Sequence, residues 1–202
     1  MIRKILYLTL LFTLSIPCVN SQALKKYSSI KYKLTISSKS MPQKVSSTYY
    51  KKGDSLRIEM DIQGQQSITI AKKGRPAYIY YPSENMAIPV SLPENVFYEE
   101  ADYSRGPGVR LIGEETIRGI ACDVYEKDSS GHKTKIWIDK NIEFPVKIQV
   151  LDPEGANIDY SDVAINIPLD DSLFTLPAGV KIIDTSKTGE AMRNLGSTYD
   201  RR

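Results

Sequence analysis

The sequence predicts a mainly β domain of the α+β class: one twisted antiparallel sheet, curled around an apolar face and closed by a short helical segment. Two observations carry this. From residue 26 onward, short runs of alternating apolar and polar residues recur between turn signals at the spacing of antiparallel strands. One stretch, 93–103, breaks that rhythm with residues suited to a helix.

The first element is not part of the fold. Arg3 and Lys4 precede a short apolar run, 5–16, and small or polar residues follow, which is the layout of a secretory signal peptide. The run is too short to span a bilayer. Cleavage after Ser21 or after Ala23 both fit the small-residue rule; residues 1–21 are taken as the leader, 22–184 as the domain and 185–202 as a polar tail. The whole chain carries 27 Lys and Arg against 24 Asp and Glu, a net charge of +3. Arg3 and Lys4 leave with the leader, so the exported chain is close to neutral and lacks a basic block. That argues against nucleic acid as a partner. Pro17 stands where a lipid-modified Cys18 needs a small residue, which argues against a lipid anchor. Cys122 is then the one remaining thiol, so an exported chain has no intramolecular disulfide and rests on packing, for which a hydrophobic fraction of 41% suffices.

The strands follow in order. Ile30, Tyr32, Leu34 and Ile36 alternate with polar residues. Leu56, Ile58, Met60 and Ile62 share one face, opposite Arg57, Glu59, Asp61 and Gln63. Ile120, Cys122 and Val124 repeat the pattern, as do Val146, Ile148 and Val150. Ten or eleven strands are expected in all. In the stretch 93–103, Pro93 suits a helix start and residues 105–108, Arg-Gly-Pro-Gly, end it, so that Val96, Phe97 and Tyr103 face a neighbour. In the run Asp170-Asp171-Ser172 an acidic or hydroxyl side chain is placed to cap a further helical turn at Leu173 and Phe174. Tyr78, Ile79, Tyr80 and Tyr81 are apolar on both strand faces, and Trp137 has the opposite parity from Ile136 and Ile138. Either chain ends and helices cover those outer patches, or one face lines a ligand cavity.

Residues that carry chemistry are sparse. His132 is the single histidine and sits at a turn, and with one thiol beside it a transition-metal site lacks ligands, so no metal or other cofactor is expected. Cys122 lies on the apolar parity of its strand, where a thiol acts as a small buried hydrophobe. Glu114 and Glu115 are adjacent and point to opposite faces, which rules out a paired-carboxylate site there. The nucleophile-elbow, phosphate-loop and zincin motifs are all missing. The sequence reads as non-enzymatic.

Residues 56–60 (LRIEM) and 70–90, the paired strands at 113–126 and 135–150, and the closing segment 174–184 (Phe-Thr-Leu-Pro-Ala-Gly-Val and its following strand) resemble, in this order, the LolA-like outer-membrane lipoprotein carriers. The likeness spans most of 30–184. It implies an unclosed half-barrel with a helical lid, in the periplasm or secreted, holding acyl chains of a lipid or lipoprotein, with a role in lipoprotein sorting to the outer membrane. On that footing the groove lining is Leu56, Ile58, Met60, Ile68, Ile70, Ile136 and Ile138. The lid is 93–103, with Val96, Phe97 and Tyr103. Arg57 matches the family arginine that latches the lid, although strand alternation sets it opposite Leu56 and Ile58, beside Glu59 and Asp61. The alternative is an envelope protein-interaction or sensing module on the same scaffold, without lipid cargo.

Overall fold

The computed structural model describes residues 27–93, 96, 103–129, 132–152 and 155–183. The leader and the polar tail lie outside these. Among the described residues, alternation is realised as strands β1 (Ser29–Ser37), β2 (Val45–Lys52), β3 (Ser55–Ile62), β4 (Gln65–Lys72), β5 (Ala77–Tyr81), β6 (Met86–Val90), β7 (Val109–Ile117), β8 (Ile120–Ser129), β9 (His132–Asp139), β10 (Pro145–Val150), β11 (Asn157–Ile165) and β12 (Lys181–Ile182). They form one sheet in the order β12-β6-β5-β4-β3-β2-β1-β11-β10-β9-β8-β7. Its two end strands, β12 and β7, do not pair, so the sheet stays open. Glycines at positive φ, Gly53, Gly64 and Gly119, sit in the tight hairpin turns that keep sequential strands adjacent.

Two expectations are corrected. The sheet is mixed, because β12 runs parallel to β6, with Lys181 opposite Met86 and Ile182 opposite Ala87. The chain reaches β6 from the far side of the sheet, after residues 166–180 have crossed its outer face, and so arrives in the parallel sense. Among the described residues there is also no helical lid: the helices are 3₁₀ turns, Pro82–Glu84 and Asp171–Phe174, with Val96 in 3₁₀ conformation as well, and none reaches seven residues. So short a stretch as 93–103 gains little from helical bonding alone. Of its described residues, Val96 packs with the preceding Leu92 on one cluster and Tyr103 on another. Phe97 lies outside the described residues.

One face of the sheet, the inner face, collects the main core. Ile30, Tyr32 and Leu34 from β1, Ile136 and Ile138 from β9, Ile148 from β10 and Tyr160 from β11 converge there with Phe144 from the β9–β10 loop. Tyr32 stacks on Tyr49 at 4.9 Å between centroids, and Phe144 meets Tyr160 edge-on at 5.5 Å. Offset stacks and edge contacts of this kind add to the burial of the rings. The half-buried Tyr27 closes the end of this cluster, its hydroxyl donating to the Ile142 carbonyl.

A second cluster sits on the outer face of β7–β10: Cys122, Val124, Trp137 and Val146. Cys122 is fully buried, and burial, with Asp139 nearby, pushes its thiol pKa up, so it stays a neutral hydrophobe. Trp137 is covered by Lys135 and Lys147, at 4.6 and 5.2 Å from its ring centroid, and its indole N–H donates to Glu115 Oε2 at 2.8 Å. At the β7–β8 turn, Arg118 reaches back to the carbonyls of Val146 and Tyr160. That ties the hairpin tip to β10 and β11.

Hydrogen bonds from Lys135 and Trp137 hold the Glu115 carboxyl below the usual glutamate range. A depressed carboxyl pKa adds stability that is fully present at neutral pH and is lost as pH falls through the folded-state value. Trp137 is the only tryptophan, so its emission reports this pair. A fluorescence titration is expected to show a transition on the acid side of the ordinary glutamate range, absent in Glu115→Gln; an unchanged titration in that variant contradicts the assignment.

Candidate functional site

Strand register decides which apolar side chains share a surface. Between β3 and β4, Leu56 pairs with Ala71, Ile58 with Thr69 and Met60 with Ser67, whereas Arg57 pairs with Ile70 and Glu59 with Ile68. Directly opposed residues project to the same side. On the inner face the rows continue through β5 and β6, where Ala77 faces Val90, Ile79 faces Ile88 and Tyr81 faces Met86. The result is an apolar patch across β3–β6. Leu56, Ile58, Ala71 and Ala77 are buried at its centre, and Met60, Ile79, Met86, Ile88 and Val90 are half-buried around them. Leu92 and Val96 pack on its centre.

The residues expected to line a groove therefore divide into three places. Leu56, Ile58 and Met60 lie on the patch. Ile136 and Ile138 are on the same side of the sheet but deep in the Tyr32–Phe144–Tyr160 cluster. Ile68 and Ile70, both buried, project to the outer face, on the side of Arg57. Ala71, Ala77, Ile79, Met86 and Ile88 belong to the patch and were missed. Their signal was available in part: the run 68–71 is apolar on both parities, so its parity could be fixed only by the partner strand.

The outer face of β3–β6 is covered by residues 166–183. Asn166 accepts from the Ser28 backbone at 2.9 Å, and the Ser29 hydroxyl donates to the Ile167 carbonyl. Lys52 reaches the Leu169 carbonyl at 2.8 Å and Asp171 at 2.7 Å. Of the three residues that could cap the 3₁₀ turn it is Asp170 that does so, its carboxylate accepting from the Ser172 N–H at 2.8 Å, and hydrogen bonds from the Ser172 side chain and backbone hold its pKa down. Arg57 is the central fastening: Nη1 donates to the Leu173 carbonyl at 3.0 Å, and Nε to Glu59 at 2.7 Å. Its side chain is 15% exposed. Arg57 thus latches the C-terminal strap on the outer face, on the opposite side of β3 from Val96.

A cavity of about 280 Å³ opens at one end of β8–β11, between Arg118, Asp139, Phe144 and Asp162. It is smaller than the roughly 300–1,000 Å³ of ordinary ligand pockets, and Arg118 there is committed to backbone carbonyls and to Asp159. Among the described residues, no group of three or more His, Cys, Asp or Glu side chains could hold a metal. The arrangement suits binding of apolar matter on the inner face; no acid–base or nucleophilic constellation is assembled there.

A family model described as "Domain of unknown function (DUF4412)" matches residues 30–144, more than half of the chain. The chain belongs to the DUF4412 family. The matched residues run from β1 to Phe144, so they include the inner-face patch and leave the strap outside. No curated protein matches the chain. Among solved structures, the DUF4412 chain is similar to an uncharacterized conserved protein from Thermus thermophilus, at 15% identity, covering 80% of this chain and 93% of that one, with a TM-score of 0.55. It is also similar to a chain of the Pseudomonas aeruginosa MucA/MucB complex, at 13% identity and a TM-score of 0.52, covering 80% of this chain and 60% of that one. The DUF4412 chain thus spans less than two thirds of that chain, and the likeness is one of fold.

Removing the Arg57 guanidinium leaves the Leu173 carbonyl and Glu59 without their partner. Arg57→Met is expected to lower stability by about 1–3 kcal/mol in chemical denaturation and to speed amide exchange across 166–183. Faster exchange confined to 166–183 fits a strap fastening; exchange and stability both unchanged contradict it.

Proposed function

We propose that this protein is an exported, non-catalytic binding protein that takes acyl chains of a lipid or lipid-modified protein against the inner face of β3–β6. The observation that carries the reading is the half-exposed apolar patch of Met60, Ile79, Met86, Ile88 and Val90 around Leu56, Ile58, Ala71 and Ala77. Each methylene buried there contributes about 0.8 kcal/mol, so a chain of modest length binds without polar specificity. The ligand competes with Leu92 and Val96 for the centre of the patch. The motif order that resembles the LolA-like lipoprotein carriers supports the same reading and a place in the periplasm, with lipoprotein sorting as the fitting role.

A second reading, a protein-interaction module of the envelope, has its own support. Half of the inner face is filled by Tyr32, Tyr49, Phe144 and Tyr160, which leaves less room for cargo. A chain of similar fold comes from a complex of two proteins, MucA and MucB.

The two are separated by a fluorescent fatty-acid titration of delipidated protein. Saturable binding is expected, weakened about tenfold or more by Ile79→Glu and left intact by Tyr78→Glu, whose side chain projects to the outer face opposite Ile70. No binding, or equal losses in both variants, contradicts acyl binding on this face and favours the interaction module.

A further inference from the structure

Strand β7 forms one edge of the sheet, and from Arg110 to Thr116 every residue is exposed. Leu111 is 58% and Ile112 42% exposed, two of the four large apolar side chains exposed among the described residues. Natural edges of this kind are protected by charges and bulges. β7 has both: Arg110, Glu114 and Glu115 flank a register shift between Leu111 and Gly113.

The shift changes which backbone groups point outward. The Asp128 N–H donates to the Gly108 carbonyl at 3.1 Å. In an antiparallel ladder that makes 108 and 110 the residues bonded to β8, and it turns the backbone groups of Val109 and Leu111 away. At the other end, the two-residue turn Arg118-Gly119, with φ of 51° and 80°, makes Ile117 bonded to β8, and with it Glu115 and Gly113. Glu114 and Thr116 therefore face away. The register shift thus leaves an outward set, 109, 111, 114 and 116, that is symmetric about the midpoint of Ile112 and Gly113.

We infer that β7 pairs with β7 of a second copy of this chain, antiparallel about a two-fold axis between Ile112 and Gly113. In that register the outward groups match: Leu111 exchanges hydrogen bonds with Glu114 of the second copy, and the Thr116 N–H meets the Val109 carbonyl. Arg110, bonded to Glu126 of its own copy at 2.7 Å, falls opposite Glu115 of the second copy on the outer face, twice, and extends that charge pairing across the seam. Ile112 lies over Gly113 of the second copy, where a Cβ would meet nothing within 4 Å. Leu111 lies over the aliphatic part of Glu114. A C₂ contact needs a self-complementary surface, and this strand supplies one in charge, shape and hydrogen bonding. Edge pairing alone buries less than a standard interface of about 1,600 Å², so the dimer is weak and forms at high local concentration.

Sedimentation velocity across a concentration series, with the intact exported chain, tests this. A monomer–dimer equilibrium is expected, weakened about tenfold or more by Ile112→Lys and by Arg110→Glu, with far-ultraviolet circular dichroism unchanged as a check on folding. Amide exchange of the unsubstituted chain gives an independent readout. Leu111, Glu114 and Thr116 are expected to gain protection at high concentration, while Arg110, Gly113 and Glu115 do not. A monomer at every concentration, a dimer indifferent to both substitutions, or protection gained elsewhere overturns the proposal.

Discussion

A long sheet that fails to close leaves two faces and two edges, and each must be buried, charged or used. In this chain the end strands β12 and β7 do not meet, and the rest of the architecture answers to that. Half of the inner face is filled by the chain's own rings. The outer face of β3–β6 is strapped by residues 166–183, and the outer face of β7–β10 is sealed by Trp137 under two lysines. The edge next to β6 is capped by the two residues of β12. Among the described residues, the inner patch of β3–β6 and the edge of β7 are where neighbouring apolar groups stay half-covered or bare together, and function is sought there for that reason.

Arg57 shows how the covering is achieved. On an outer face that would otherwise carry Ile68, Ile70, Tyr78 and Tyr80 into water, one guanidinium ties a strand carboxylate to a carbonyl of the crossing chain. Lys52 and Asn85 do the same at other points, through the Leu169 and Gly179 carbonyls. Most of these bonds end on backbone oxygens rather than on side chains of the strap. The strap is thus held by its path, which asks little of its side chains beyond the buried Leu169 and the Asp170 cap.

Much of this was legible in the sequence, and the limits have physical causes. Period-two alternation located the strands, and it set Arg57 opposite Leu56 and Trp137 opposite Ile136, as the structure has them. A cap within Asp170-Asp171-Ser172 followed from side-chain chemistry, and the fold gives it to Asp170. Inter-strand register was not legible. Ile68, Thr69, Ile70 and Ala71 offer two apolar parities, and only pairing with β3 sends the isoleucines outward and Ala71 inward. Bulges at Lys31/Lys33, Leu111/Gly113 and Pro145/Lys147 each shift the pairing in a way periodicity does not announce. The strap has no period, because it is extended chain with one 3₁₀ turn, and its partners are backbone carbonyls common to every sequence. The expected helix at 93–103 rested on local propensity, which is a weak guide for so short a stretch when its apolar residues can anchor on separate clusters.

The central claim is that the inner face of β3–β6, and not the equally apolar outer face, receives an acyl chain. Methyl-resolved NMR of Ile- and Met-labelled protein titrated with a lysophospholipid tests it directly, because the two faces carry separate reporters on the same strands. Shifts at Ile58, Met60, Ile79, Met86 and Ile88, with Ile68 and Ile70 unmoved, are the expected result. Shifts confined to Ile68 and Ile70, or none at any of these methyls at saturating lipid, would contradict it.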